Sequence, residues 1–179
     1  MTKDIDLVVK TKNEFKSFQK ALKKLMFKEK IPGKEYSRMN LNQIFERKDF
    51  RIDLFDKEVC NKFSLTKGII KRSEITQTLK NLKIKHCSNE DIFLFKTMTE
   101  REGDLEDCIN IAKTGIEWNT IFNELNNQIK LSKKNVWITW VGERLDILED
   151  RGVEIPIMNK INKLRNEYFE ELEKDLSNK

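Results

Sequence analysis

Asp4 and Asp6 alternate with Ile5 and Leu7 in the run Thr2-Lys3-Asp4-Ile5-Asp6-Leu7-Val8-Val9. A period of two is the pattern of a half-buried strand, so both carboxylates project to one face while the apolar side chains anchor the other. A second run, Phe50-Arg51-Ile52-Asp53-Leu54-Phe55, sets Asp53 between Ile52 and Leu54 among strong β-formers. A carboxylate buried in such a strand is costly unless it has a partner. Three of them converging on one sheet face would repel each other unless a cation sat among them. Hard oxygen donors at an open site suit Mg²⁺ or Mn²⁺, ions that retain waters and recruit phosphate oxygens. The chemistry this predicts is phosphoryl or nucleotidyl transfer assisted by one or two metal ions.

The elements that must position these residues follow from local signals. Thr11-Lys12-Asn13-Glu14 has the form of a capping box and opens a helix with Phe15, Phe18, Leu22, Leu25 and Met26 on its apolar side. The other side is lysine-rich (Lys16, Lys20, Lys23, Lys24), and Pro32-Gly33 turns the chain. Strands are expected from Leu41 to Phe45 and from Phe50 to Phe55, joined as a hairpin through Glu46-Arg47-Lys48-Asp49. Residues 58 to 80 carry no decisive pattern. Leu82 to Cys87 alternates as a short edge strand, and Ser88-Asn89-Glu90-Asp91 caps a helix turning Ile92, Phe95, Met98 and Thr99 inward. Gly103 is expected to break that helix. The next one carries Leu105, Cys108, Ile109 and Ala112 and stops at Gly115.

From Ile116 onward the pattern is helical throughout. One segment carries Trp118, Ile121, Phe122 and Leu125. A second starts at Ser132, carries Trp137, Trp140, Val141, Leu145 and Leu148, and stops at Gly152. A third starts near Pro156 with Ile157, Ile161, Leu164, Tyr168 and Leu172. The three tryptophans fall at helical spacing and read as core. The predicted class is α+β: a small mixed β-sheet with flanking helices and a helical C-terminal third. Residues 1–115 are assigned to the α+β core and 116–179 to a helical extension packed on it.

Composition narrows the function classes. The 179 residues are 36% charged and 38% hydrophobic, which suits a globular fold and not disorder. The net charge is +5, yet 30 acidic residues are interspersed among 35 basic ones, so charge alone argues weakly for a polyanionic partner. Cys60, Cys87 and Cys108 lie far apart with no C-x-x-C pair, as expected of reduced thiols in a cytoplasmic protein. With His86 as its single histidine, the chain cannot assemble a multi-imidazole zinc site or carry a triad elsewhere. No apolar run reaches membrane-spanning length, and the first residues are already charged.

Asp4-Ile5-Asp6 on one strand and Ile52-Asp53-Leu54 on a later one resemble the D-h-D and h-D-h signatures of polymerase-β-like nucleotidyltransferases. Glu90-Asp91-Ile92-Phe93-Leu94-Phe95-Lys96, followed by Arg101 and by Asp104-Leu105-Glu106-Asp107, is similar to a segment of the AbiEii-like branch of that superfamily. That branch includes abortive-infection and toxin–antitoxin nucleotidyltransferases. The resemblance covers residues 3 to 115. It implies that Asp4 and Asp6 hold a metal bearing the nucleoside triphosphate, and that Asp53 completes the metal site and helps deprotonate an attacking hydroxyl. Lys96 and Arg101 would bind the nucleotide, while Asp104 and Asp107, sharing a helix face, would orient them or the acceptor.

The implied reaction moves NMP from an NTP to a hydroxyl of RNA or protein, with Mg²⁺ or Mn²⁺ as cofactor. A tRNA end is the implied acceptor and an antitoxin chain the implied partner. The family's Gly-Ser turn before the first strand has no counterpart here, since only Met1, Thr2 and Lys3 precede Asp4, so NTP binding is expected to be weak. Two other readings compete. One is a non-catalytic protein that binds a partner chain or nucleic acid through its first or last helix. The other is a nuclease using the same carboxylates.

Overall fold

The computed structural model describes residues 4–30, 43–59 and 62–177. Cys60 and the Pro32-Gly33 turn lie outside them. The fold is α+β, and the chain divides into two compact units, Met1–Leu65 and Thr66–Lys179. This boundary falls well before residue 115, because the helices after residue 88 pack among those that follow them.

The first unit is built on a four-stranded mixed sheet. Its strands are β1 (Asp4–Val9), β2 (Lys28–Lys30), β3 (Gln43–Arg47) and β4 (Phe50–Asp56), and α1 (Lys12–Lys24) follows β1. The sheet order is β1-β4-β3-β2. β1 runs parallel to β4, and the other pairings are antiparallel. A crossover helix is what a parallel neighbour requires, and α1 begins that connection.

α1 starts where the capping box places it. The Thr11 hydroxyl accepts from Glu14 N at 3.1 Å, and the Glu14 carboxylate accepts from Thr11 N at 3.0 Å. Phe15, Phe18 and Leu22 then pack on Leu7, Val9, Phe45, Ile52 and Leu54. Each such side chain contributes about 1.5–3 kcal/mol when fully buried. Leu25 and Met26 do not continue this face as expected. The helix ends at Lys24, Met26 takes the left-handed conformation at φ 64, and both side chains are exposed. Ile44 and Phe55 form a smaller cluster with Val8 and Val59 on the opposite sheet face.

The second unit opens with α2 (Lys67–Arg72) and an antiparallel hairpin of β5 (Glu74–Leu79) and β6 (Leu82–His86), so the predicted edge strand pairs with β5 and not with the main sheet. Five helices follow: α3 (Asn89–Lys96), α4 (Glu102–Ala112), α5 (Trp118–Ser132), α6 (Trp137–Asp150) and α7 (Met158–Ser177). α3 packs on α4 and α5, and α6 on α4, α5 and α7. Phe93, Leu105, Cys108, Ile121, Leu125, Val141, Leu145, Leu148 and Ile161 are buried.

Gly103 does not break α3. It lies in the first turn of α4, and the break comes earlier, where the Thr97 hydroxyl bonds to the carbonyl of Leu94. Ser132 closes α5 and does not open the next helix, because Lys133 turns left-handed at φ 56. Trp137 is buried and Trp118 meets Phe93 edge-on at 5.3 Å, but Trp140 is largely exposed. No helix among the described residues is long and apolar enough to cross a membrane.

Candidate functional site

The parallel pairing of β1 with β4 decides where the three strand aspartates go. Asp6 stands opposite Asp53 and Asp4 opposite Arg51. Period-two alternation puts all four side chains on the sheet face away from α1, because Leu7, Val9, Ile52 and Leu54 occupy the face that α1 covers. Asp4 and Asp6 are exposed, whereas only 13% of the Asp53 side chain is accessible.

Asp53 has a partner that the aspartate pattern did not disclose. Arg51 donates from Nε to Asp53 Oδ1 at 2.7 Å and from Nη2 to Oδ2 at 2.8 Å. This fork is the strong geometry for a guanidinium and a carboxylate. The signal was in the spacing, since residues two apart in a strand share a face. The consequence for a cation is direct: both Asp53 oxygens are engaged. Among the described residues no three His, Cys, Asp or Glu side chains come together as a group able to hold a metal ion. The donor chemistry is that of Mg²⁺ or Mn²⁺, but the ligand set is not closed around one.

In the second unit, Lys96, Arg101, Asp104 and Asp107 meet at the turn between α3 and α4. Lys96 Nζ donates to Asp104 Oδ1 at 2.8 Å and to Asp107 Oδ2 at 2.6 Å. Arg101 Nε and the Thr99 hydroxyl both donate to Asp104 Oδ2, at 2.7 and 2.6 Å. Asp104 is buried and Asp107 exposed. Burial opposes the charge on Asp104, but the bonds from Lys96, Thr99 and Arg101 outweigh it and hold its carboxyl below the ordinary value. Burial likewise works against the Lys96 ammonium, and its two carboxylate bonds overcome this and raise it. Lys96 has three N–H donors and spends two of them here, which leaves one for a ligand.

A third polar cluster went unread in the sequence. Arg72, at the end of α2, forks onto Asp91 with Nη2 at 2.6 Å and Nε at 3.1 Å, and its Nη2 also reaches Glu124 Oε2 at 2.6 Å. The Thr66 hydroxyl and Gln128 Nε2 donate to Glu124 Oε1 at 2.8 and 3.1 Å, and the Ser88 hydroxyl donates to Asp91 at 3.0 Å. Asp91 and Glu124 are 1% and 4% exposed. The hydrogen bond to Asp91 leads the causes that hold the Arg72 guanidinium above its ordinary value. Close approach also fixes Gly68: a Cβ there would lie 2.8 Å from Glu124 Oε2 and 3.1 Å from Arg72 Nη1. Asp91 looked like a helix-cap residue, and Arg72 lay in the stretch without a pattern.

Beside this cluster a polar cavity of about 290 Å³ is lined by Arg72, Glu74, His86, Cys87, Ser88, Asn89 and Glu90. Burial, reinforced by the charge of Asp91, pushes the Cys87 thiol up, so it is a poor nucleophile near neutral pH. Cys108 is buried, pushed up to about 12 by that burial, and its Sγ lies 3.8 Å from Phe93 O. Neither thiol is activated. Compared with protein-family models and with curated proteins, the chain has no match.

Proposed function

We propose that the protein is of nucleotidyltransferase type, moving NMP from an NTP to a hydroxyl of RNA or protein with release of pyrophosphate. The observation that carries this reading is the parallel register of β1 and β4, which sets Asp4, Asp6 and Asp53 on one sheet face. Asp53 is the residue assigned to the attacking hydroxyl, as a carboxylate that accepts its proton. Arg51 donates to both Asp53 oxygens, so the hydroxyl proton would go to a remaining lone pair of that carboxylate or to an oxygen freed as the fork opens. Mg²⁺ or Mn²⁺ would supply electrostatic stabilisation of the triphosphate, and no step is assigned to it while three ligands do not converge. In the helical unit, Lys96 and Arg101 are the cations assigned to the nucleotide, held in place by Asp104 and Asp107.

The Arg51–Asp53 fork also favours a second reading, in which the same sheet is non-catalytic and binds a partner chain or nucleic acid. Labelled NTPs incubated with Mg²⁺ and mixed RNA separate the two. Under the first reading label is incorporated, Asp53→Asn abolishes incorporation, and Asp53→Asn keeps the thermal midpoint within a few degrees. If wild type and Arg51→Gln both transfer nothing from any of the four NTPs, the second reading replaces the first. Titration calorimetry with each NTP adds a check, since weak binding is expected and micromolar affinity would contradict it.

A further inference from the structure

α1 carries more positive charge than its fold requires. Its 13 residues, KNEFKSFQKALKK, hold five lysines and one glutamate. Four of the lysines, Lys12, Lys16, Lys20 and Lys24, recur every fourth residue, so they stand about 6 Å apart along the axis in a slowly winding ladder. Like charges four apart destabilise a helix, and a lysine in the first turn opposes the helix dipole as well. No carboxylate occupies a position three or four residues from any of these four lysines within the helix. Glu14 is committed to the capping box, and Lys23 is paired with Glu29 at 2.6 Å. All four ladder lysines are exposed.

The apolar side of α1 is already used. Phe15, Phe18 and Leu22 lie against the sheet, which leaves no apolar face to enter a lipid surface. At the C-terminal end of the ladder the apolar surface is of another kind. Arg47 donates to Leu25 O at 2.8 Å and lies in cross-strand register with Phe50, a residue 54% exposed. A cationic row that ends near an exposed aromatic ring has the two parts a single strand of nucleic acid engages, a track for phosphates and a platform for one base.

We propose that α1 and Phe50 bind single-stranded nucleic acid along its backbone, on the sheet face opposite Asp4, Asp6 and Asp53. The inference does not depend on the nucleotidyl-transfer reading. The ladder fixes phosphates without reading sequence, and Phe50 stacks on a base of any identity.

The test is fluorescence anisotropy of a labelled single-stranded oligouridylate with the full chain, in EDTA and without NTP, across roughly 50 to 200 mM KCl. The variant Lys12→Gln/Lys16→Gln/Lys20→Gln/Lys24→Gln should lose at least tenfold in affinity and flatten the salt slope by about three, at about 0.7 per phosphate contact. It relieves like-charge pairs, so its helical signal and melting midpoint should hold. A control neutralising Lys113, Lys130, Lys163 and Lys174 makes the same change in net charge and should bind nearly as wild type does. Phe50→Ala should weaken binding by about tenfold, the worth of one stacked base. Equal losses in both lysine variants would reduce the effect to net charge and overturn the proposal. So would wild type failing to bind at the lowest salt, an unaffected Phe50→Ala, or a ladder-dependent preference for anionic vesicles or an acidic peptide over RNA.

Discussion

Arg72 shows what a single guanidinium does when two carboxylates are buried against it. Asp91 and Glu124 have almost no access to water, and Arg72 sets its guanidinium against both. Replacing it by methionine keeps most of the packing but leaves two uncompensated carboxylates. The expected cost is about 3–5 kcal/mol at neutral pH. Urea denaturation at pH 7 should show that loss as a lower midpoint for Arg72→Met, largely restored when Asp91→Asn and Glu124→Gln are added to it. A triple variant as weak as Arg72→Met alone would mean the carboxylates are not the source of the loss.

At the same scale Asp104 ties stability to pH. Its folded value lies below the ordinary 3.8, so its contribution is complete above that pH and is lost as pH falls through the folded value. Lys96 is raised above its ordinary 10.5, so its contribution is complete below that and fades only as pH climbs through the folded value. Across the neutral range Lys96 and Asp104 are therefore both charged. Asp104→Asn should cost about 2 kcal/mol at pH 7, a figure reduced from the fully buried case because Lys96 and Arg101 retain solvent. Chemical denaturation from pH 7 down to pH 3 should show the gap to wild type closing in acid. A gap that stays constant would argue that shape, not charge, holds the α3–α4 turn.

Among the elements, α1 and α3 show how far sequence pattern reaches. The Thr11 capping box and the Phe15, Phe18, Leu22 period were legible because both signals are local, and the helix starts where they place it. Thr11→Ala should cost about 1 kcal/mol and loosen the first turn, read as faster amide exchange over residues 12–15. Unchanged exchange there would show that sheet packing alone holds the helix start. α3 was legible in its Ser88 cap but not in its face. Of the expected inward residues Met98 is buried, but Ile92, Phe95 and Thr99 are only partly so, and Phe93 and Leu94 are buried instead. The reason is Asp91. Its pairing with Arg72 turns position 91 inward, and positions 94 and 98 on the same face follow it. A buried carboxylate inside an apolar stripe hides the period, and its partner lies 19 residues away.

For the molecule as a whole, long-range pairing was what the sequence withheld. Parallel pairing of Asp6 with Asp53 could be hoped for from alternation, but Arg51 closing on Asp53 required reading the polar residue beside the acid as its partner. The boundary at residue 65 was hidden for a similar reason. It is set by where internal contacts are made, and Thr66 looks like loop until its hydroxyl is found on Glu124. Every partner of Arg72 and Lys96 in these networks lies within Thr66–Lys179, as do Phe93, Leu125 and Leu145 of its core. A protein comprising residues 66–179 should therefore fold by itself, since its buried charges and apolar groups are matched internally. Circular dichroism should give a helical spectrum with one cooperative melt, and Thr66→Ala in that fragment should lower the midpoint, because Glu124 loses a donor and α2 its cap. A broad transition with strong binding of a hydrophobic dye would show instead that this unit needs the first sixty-five residues to pack.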